Sequence, residues 1–187
     1  TDPLGEEFCS LARSLFDRGL THGTSGNLSA RLPGGGWLVS PTNSNLGRLT
    51  PASLSRLDLH GQHVSGDKPT KEWPLHAAFY ATRGDRAGAV VHLHSPFAVA
   101  LSCLVDLNPD DVLPAYTPYP VMRLGRVPLL PYLPPGAKAI GAAVKALGGK
   151  ASSVLLANHG PATSAPDLAS AVSAAEELEA AARLAFT

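Results

Sequence analysis

Two histidines, His92 and His94, stand one residue apart at the end of the apolar run "AVVHLHSPFAVALSCL", residues 89–104. In a strand, side chains two apart share a face with alpha carbons roughly 6.5 Å apart, so two imidazoles can converge on one ion. Taken alone, the pair reads more simply as two strand-end histidines bonded to backbone or water. A third histidine, His159 in "VLLANHGP", also ends an apolar strand, where Gly160 and Pro161 force a turn. Three such histidines can form a facial ligand set with a position left open for substrate.

Glu72 in "PTKEWPLH" lies near an expected helix start. It reads either as a first-turn acid complementing the helix dipole or as a fourth ligand or general acid/base beside a metal. His76, one turn later on the same face, reads as a packing or supporting histidine. Upstream, "GTSGNLS" faces "SPTN" across an expected hairpin. Small residues with free N–H groups and hydroxyls can cradle an anion, and the alternative is a plain turn. Lys71 either adds positive charge to that cradle or is a solvated surface lysine.

The elements that must position these residues follow from periodicity. Phe8, Leu11, Ala12 and Leu15 recur at helical spacing over 6–18, closed by Gly19. "NLSARL" and "WLVSPT" flank the glycine run 34–36 as a hairpin, and "LSRLDLHGQHVSGD" has the pattern of a second, turning at His60-Gly61. A helix is expected from about Thr70 to residue 83, then a strand over 88–94 and a helix opened by Ser95 and Pro96. Residues 106–136 hold eight prolines and offer only "VPLLPY" as a short strand. A helix over 137–147, the strand "SSVLLA" and an amphipathic helix from "PDLASAV" to the end complete the chain. The sum is an α/β fold with a mainly antiparallel sheet, expected as a single domain over 1–187.

Bulk composition narrows the function classes. The 187 residues carry 15 Lys and Arg against 15 Asp and Glu, which excludes the basic footprint of a nucleic-acid binder. No apolar run reaches membrane-spanning length, and the acidic N-terminal stretch does not read as a signal peptide. Two cysteines, Cys9 and Cys103, suggest no disulfide framework, so a cytoplasmic location is expected.

In this order, "HGTSGNLSARL", "LVSPT", "PTKEWPLHAAFY", "AVVHLHSPFAVALS" and "VLLANHGP" resemble successive blocks of the class II aldolase/adducin family, over nearly the whole chain. The resemblance implies a three-layer α/β/α sandwich around a mainly antiparallel sheet, assembled as a homotetramer with active sites at subunit contacts. It implies that His92, His94 and His159 ligate a divalent metal, zinc or alternatively manganese, with Glu72 as acid/base. It places Thr24, Ser25, Gly26, Asn27, Ser40, Thr42, Thr70 and Lys71 around the substrate and its phosphate, and Tyr119 in a neighbouring subunit's site. Lys71 stands where the family's sugar-phosphate aldolases carry a small hydroxyl residue, and Asn43 where they carry glycine. The first departure is more similar to the branch that decarboxylates 3-oxo-tetronate 4-phosphate, a small phosphorylated carbohydrate acid, through an enediolate. An L-fuculose 1-phosphate type aldolase, a pentulose-phosphate 4-epimerase and a non-catalytic adducin-like module are the alternatives the resemblance leaves.

Overall fold

The computed structural model describes residues 2–187. Helix α1 spans Pro3–Asp17, opened by Asp2, whose carboxylate accepts the Gly5 N–H at 3.1 Å. Its buried stripe, Phe8, Ala12 and Leu15, is the one the spacing predicts. Strands β1 (Asn27–Arg31) and β2 (Trp37–Val39) form the first hairpin, and β3 (Ser55–Leu57) and β4 (His63–Ser65) the second. Helix α2 runs Trp73–Arg83, followed by β5 (Ala89–His92), α3 (Pro96–Ser102), α4 (Pro118–Leu124) and β6 (Leu129–Leu130). The chain continues through α5 (Lys138–Ala146), β7 (Ser153–Leu156), β8 (Gly160–Ala165) and α6 (Leu168–Leu184).

The strands form one eight-stranded sheet in the order β4-β3-β2-β1-β5-β8-β7-β6. Every pairing is antiparallel except β6 with β7. Alternation along the central strands sorts side chains between two helical layers. Val91 and Leu93 pack with Phe8 and Leu15 of α1 and Val172 of α6. Val90, Val154 and Leu156 pack on the other side with Leu75 and Phe79 of α2 and Ile140 and Val144 of α5. Leu155 joins Ala98 of α3, Leu124 of α4 and Leu178 of α6. Each fully buried Leu or Phe contributes about 1.5–3 kcal/mol relative to exposure. The expected α/β/α sandwich is the architecture found.

Four details differ from the sequence expectations. Helix α2 starts at Trp73, three residues late, with Pro74 in the first turn and Glu72 at the cap position without capping it. Strand β5 stops at His92, so His94 lies beyond the sheet. Helix α4 arises inside the proline-rich stretch, where Pro118 and Pro120 sit in the first turn, a place that needs no N–H donor. Residues 160–165 form a strand, β8, where only a turn was expected. Both cysteines are free, Cys9 half-buried and Cys103 exposed just past α3. Among the described residues no helix is long and apolar enough to cross a membrane.

Candidate metal centre

The centre forms where three strands of the sheet end together. His92, the last residue of β5, pairs with Asn27 of β1 on one side and Ala162 of β8 on the other. The β7–β8 turn carries His159, and Gly160 then passes so near β5 that a Cβ there would lie 2.4 Å from the Leu93 carbonyl oxygen. His94 enters from the bend between β5 and α3, and Glu72 from the start of α2. One ligand atom from each of Glu72, His92, His94 and His159 lies within 4.8 Å of all the others.

His92 Nδ1 donates to the Pro161 carbonyl at 2.8 Å, which leaves Nε2 to face the centre. Nε2 of His92 lies 3.2 Å from Nε2 of His159, 3.4 Å from Glu72 Oε2, and Glu72 Oε1 lies 3.5 Å from His159 Nε2. Two nitrogens bound tetrahedrally to zinc at ~2.05 Å stand roughly 3.3 Å apart, which this spacing matches. The three rings meet edge to face, with centroids 4.8–5.1 Å apart. Glu72 Oε1, His94 Nε2 and His159 Nδ1 are buried without a hydrogen-bond partner. Buried polar atoms are rarely left so, and a shared cation would account for Glu72 Oε1 and His94 Nε2, whereas His159 meets the centre through Nε2 and not through its unpaired Nδ1. The donor set of three imidazoles and a carboxylate fits a divalent ion such as zinc or manganese.

Without an ion, the four groups perturb one another. Burial raises the Glu72 carboxyl, but the adjacent His92, its hydrogen bonds from His92 and Asn27, and His159 outweigh this and hold it far below the ordinary range. Burial lowers His92, but Glu72 outweighs it and raises the imidazole above its ordinary value. Burial, with His92 next, pushes His94 and His159 down to about 4, so both present neutral lone pairs at neutral pH.

A cavity of about 270 Å³ opens beside the centre, with Glu72 and His94 in its wall. Thr24, Ser25, Gly26, Asn27, Thr42, Thr70 and Lys71 line it, as the sequence predicts, and Lys71 is the cation among them. His92 and His159 lie behind the wall, 0% and 6% exposed. Of the residues expected there, Ser40 alone lies off the lining, and Asn27 and Ser25 are also engaged by the protein. Ser40 is fully buried, and its hydroxyl bonds the Leu28 N–H at 3.0 Å and the Leu28 carbonyl at 3.3 Å, so it ties β2 to β1 rather than facing the cavity. The Asn27 amide donates to Glu72 at 2.9 Å and accepts from His76 at 2.6 Å, so it serves Glu72 first. Ser25 donates its hydroxyl proton to the His22 carbonyl at 2.7 Å.

Tyr119 lies on α4, 66% exposed and outside this cavity, so the chain does not bring it to its own site. Pro135, in the loop before α5, lines the cavity and carried no signal in sequence. Asn43 also lines it, with φ +54, a conformation glycine adopts freely and asparagine tolerates. The departure from glycine there keeps the backbone geometry.

The 3-oxo-tetronate 4-phosphate decarboxylase of Escherichia coli (strain K12) is 46% identical to this chain over 183 residues, covering 98% of this chain and 86% of that protein. L-fuculose phosphate aldolase of Methanococcus maripaludis (strain S2) is 34% identical over 178 residues, covering 95% and 93%. The crystal structure of YgbL from Escherichia coli superposes with a TM-score of 0.96 at 44% identity, covering 99% of this chain and 89% of that one. The Class II Aldolase and Adducin N-terminal domain matches residues 6–186. With the same sandwich, the same order of blocks and a match across nearly every residue, this chain belongs to the class II aldolase and adducin family.

Proposed function

We propose that this chain is a metal-dependent carboxy-lyase that converts 3-oxo-tetronate 4-phosphate to dihydroxyacetone phosphate and carbon dioxide. The observation that carries the reading is the convergence of Glu72, His92, His94 and His159 on one point beside a polar cavity. Similarity over nearly the full chain to relatives named for that reaction selects it among the family's chemistries. His92, His94 and His159 hold the ion, zinc or manganese, with Glu72 beside it. Bound there, a divalent ion supplies the Lewis acidity that stabilises negative charge left on the substrate when carbon dioxide departs.

The remaining work falls to the protein. Thr24, Gly26, Thr42 and Thr70 surround the phosphate, and Lys71 offsets its charge. Breaking the bond to carbon dioxide requires no base, so the acid/base step is delivery of a proton to C2. Glu72, after taking up a proton from solvent on its unpaired Oε1, or Tyr119 of a neighbouring copy, delivers it. The reading takes the chain as one domain in a homotetramer with sites at the contacts between copies. The exposed apolar face of α4, with Tyr119 66%, Val121 51% and Met122 80% exposed, supports assembly through that helix.

Aldol cleavage is the second reading, favoured by the aldolase relative with 34% identity. The test offers the metal-loaded protein 3-oxo-tetronate 4-phosphate and, separately, fuculose 1-phosphate. Carbon dioxide with dihydroxyacetone phosphate from the first supports the proposal. Lactaldehyde from the second alone overturns it.

A further inference from the structure

Behind Glu72 lies a file of buried polar side chains that starts at Asn27, in the cavity wall, and runs away from the site. Asn27 Nδ2 donates to Glu72 Oε2 at 2.9 Å, and His76 Nε2 lies 2.6 Å from Asn27 Oδ1. His76 Nδ1 lies 2.7 Å from Ser29 Oγ, which lies 2.7 Å from the Tyr80 hydroxyl. His76 and Ser29 are fully buried and Tyr80 is 4% exposed. Such a file is long for a structural filler, and each member has a defined direction.

The directions follow from Glu72. An ionised carboxylate only accepts, so Asn27 turns its amide nitrogen to Glu72 and its oxygen to His76. His76 must then donate from Nε2, its Nδ1 must accept from Ser29, and Ser29 must accept from Tyr80. Reversed from a protonated Glu72, the file would leave the Tyr80 hydroxyl needing another acceptor, and Ser29 is its partner among the described residues. A buried donor with no acceptor is costly, so the reversed arrangement is disfavoured. Burial also keeps His76 neutral, pushing its pKa down to about 3.

We propose that Tyr80, Ser29, His76 and Asn27 form a one-way donor chain that holds Glu72 as an acceptor, with His76 as the positioning residue. Its Nε2–H tautomer orients the Asn27 amide, which pins Glu72 Oε2. Glu72 Oε1, buried and without a hydrogen bond, is left as the oxygen that meets a metal ion or takes up a proton. The inference rests on the reading of Glu72 as the acid/base residue of the site.

Long-range proton–nitrogen NMR reports the His76 tautomer without any turnover, with the signal assigned by its loss in His76→Gln. The expected result, in metal-free and zinc-loaded protein alike, is a proton on Nε2 and a bare Nδ1. A proton on Nδ1, or on both nitrogens, overturns the proposal whatever the enzyme's activity. In the kinetic arm, His76→Leu lowers kcat roughly 10–100-fold, and KM stays within about twofold. His76→Gln, which retains a side-chain donor and an acceptor, recovers most of that loss. Undiminished kcat in His76→Leu, or equal loss in both variants, overturns the positioning role. If either variant does not fold, the wild-type NMR result decides alone. Failure of the substrate reading would show instead as no turnover in the wild type, with the tautomer unaffected.

Discussion

Removing Glu179 tests how the fold holds His94. This residue of α6 is 7% exposed, and its two carboxylate oxygens accept the Phe97 and Ala98 N–H groups, each at 2.8 Å. Helix α3 starts two residues after His94, and the cap residue Ser95 makes no side-chain capping bond. Glu179 therefore anchors the start of α3 from a distant helix. Hydrogen bonds to a charged group contribute about 1.5–3 kcal/mol each, and truncation strands a buried donor as well. Water reaching the partly buried Phe97 N–H offsets some of this, so Glu179→Ala should cost about 3–4 kcal/mol. For a chain of this size that lowers Tm by roughly 6–16 °C. Glu179→Gln keeps the shape and one acceptor but sets an amide NH2 against a backbone donor, so its loss should be intermediate. Thermal unfolding followed by circular dichroism measures both, and metal titration of the same samples should show weaker binding in the alanine variant. A shift under about 2 °C in Glu179→Ala, or a glutamine variant no milder than alanine, would refute the reasoning.

Glu72→Gln should retain the metal, because three imidazoles remain, and lose roughly 10²–10⁴-fold in turnover; metal analysis beside steady-state kinetics reads both, and unchanged turnover would make Glu72 structural. Gly160→Ala should cost about 2–4 kcal/mol and loosen His159, because the new Cβ would lie 2.4 Å from the Leu93 oxygen at φ +151; a denaturation midpoint equal to wild type would contradict this. Metal-free protein should lose stability as pH falls from 6.5 to 4. In that window burial holds His76 at about 3 and His94 and His159 at about 4, so the unfolded chain binds more protons at three sites. His92, whose imidazole Glu72 raises against burial, acts in the opposite sense, but above pH 6.5 and so outside that window. The loss is roughly 1.4 kcal/mol per pH unit for each net proton, and urea midpoints that stay flat from pH 7 to 5 would refute it.

What was legible in the sequence is what local chemistry dictates. The stripe of α1, the strand before His92 and the turn at His159 each follow from a few neighbouring residues. So does the cradle "GTSGN", where glycine and hydroxyl residues occur together. Most of the misses depend on partners far along the chain. Strand β8, "GPATSA", is buried throughout between β5 and β7, so it shows no polar alternation and its small residues read as a loop. Helix α4 begins with two prolines, which act as breakers everywhere except a first turn. Glu179 caps a helix about eighty residues away, and no local pattern marks it. Ser40 was placed at the phosphate by the family resemblance, but it is fully buried just past β2 and bonds the Leu28 backbone of β1. His94 reaches the cluster by a bend past the end of β5, not by the strand alternation from which its position was expected.

Three imidazoles and one carboxylate, drawn from three separate segments, converge on one point that a single divalent ion would occupy. The most direct measurement is metal content per chain after zinc loading and gel filtration, in the wild type and in the His92→Ala/His94→Ala double variant. The expected result is about one tightly held ion per chain in the wild type and essentially none in a double variant that keeps its circular dichroism spectrum. Stoichiometric metal retained by a folded double variant would contradict it.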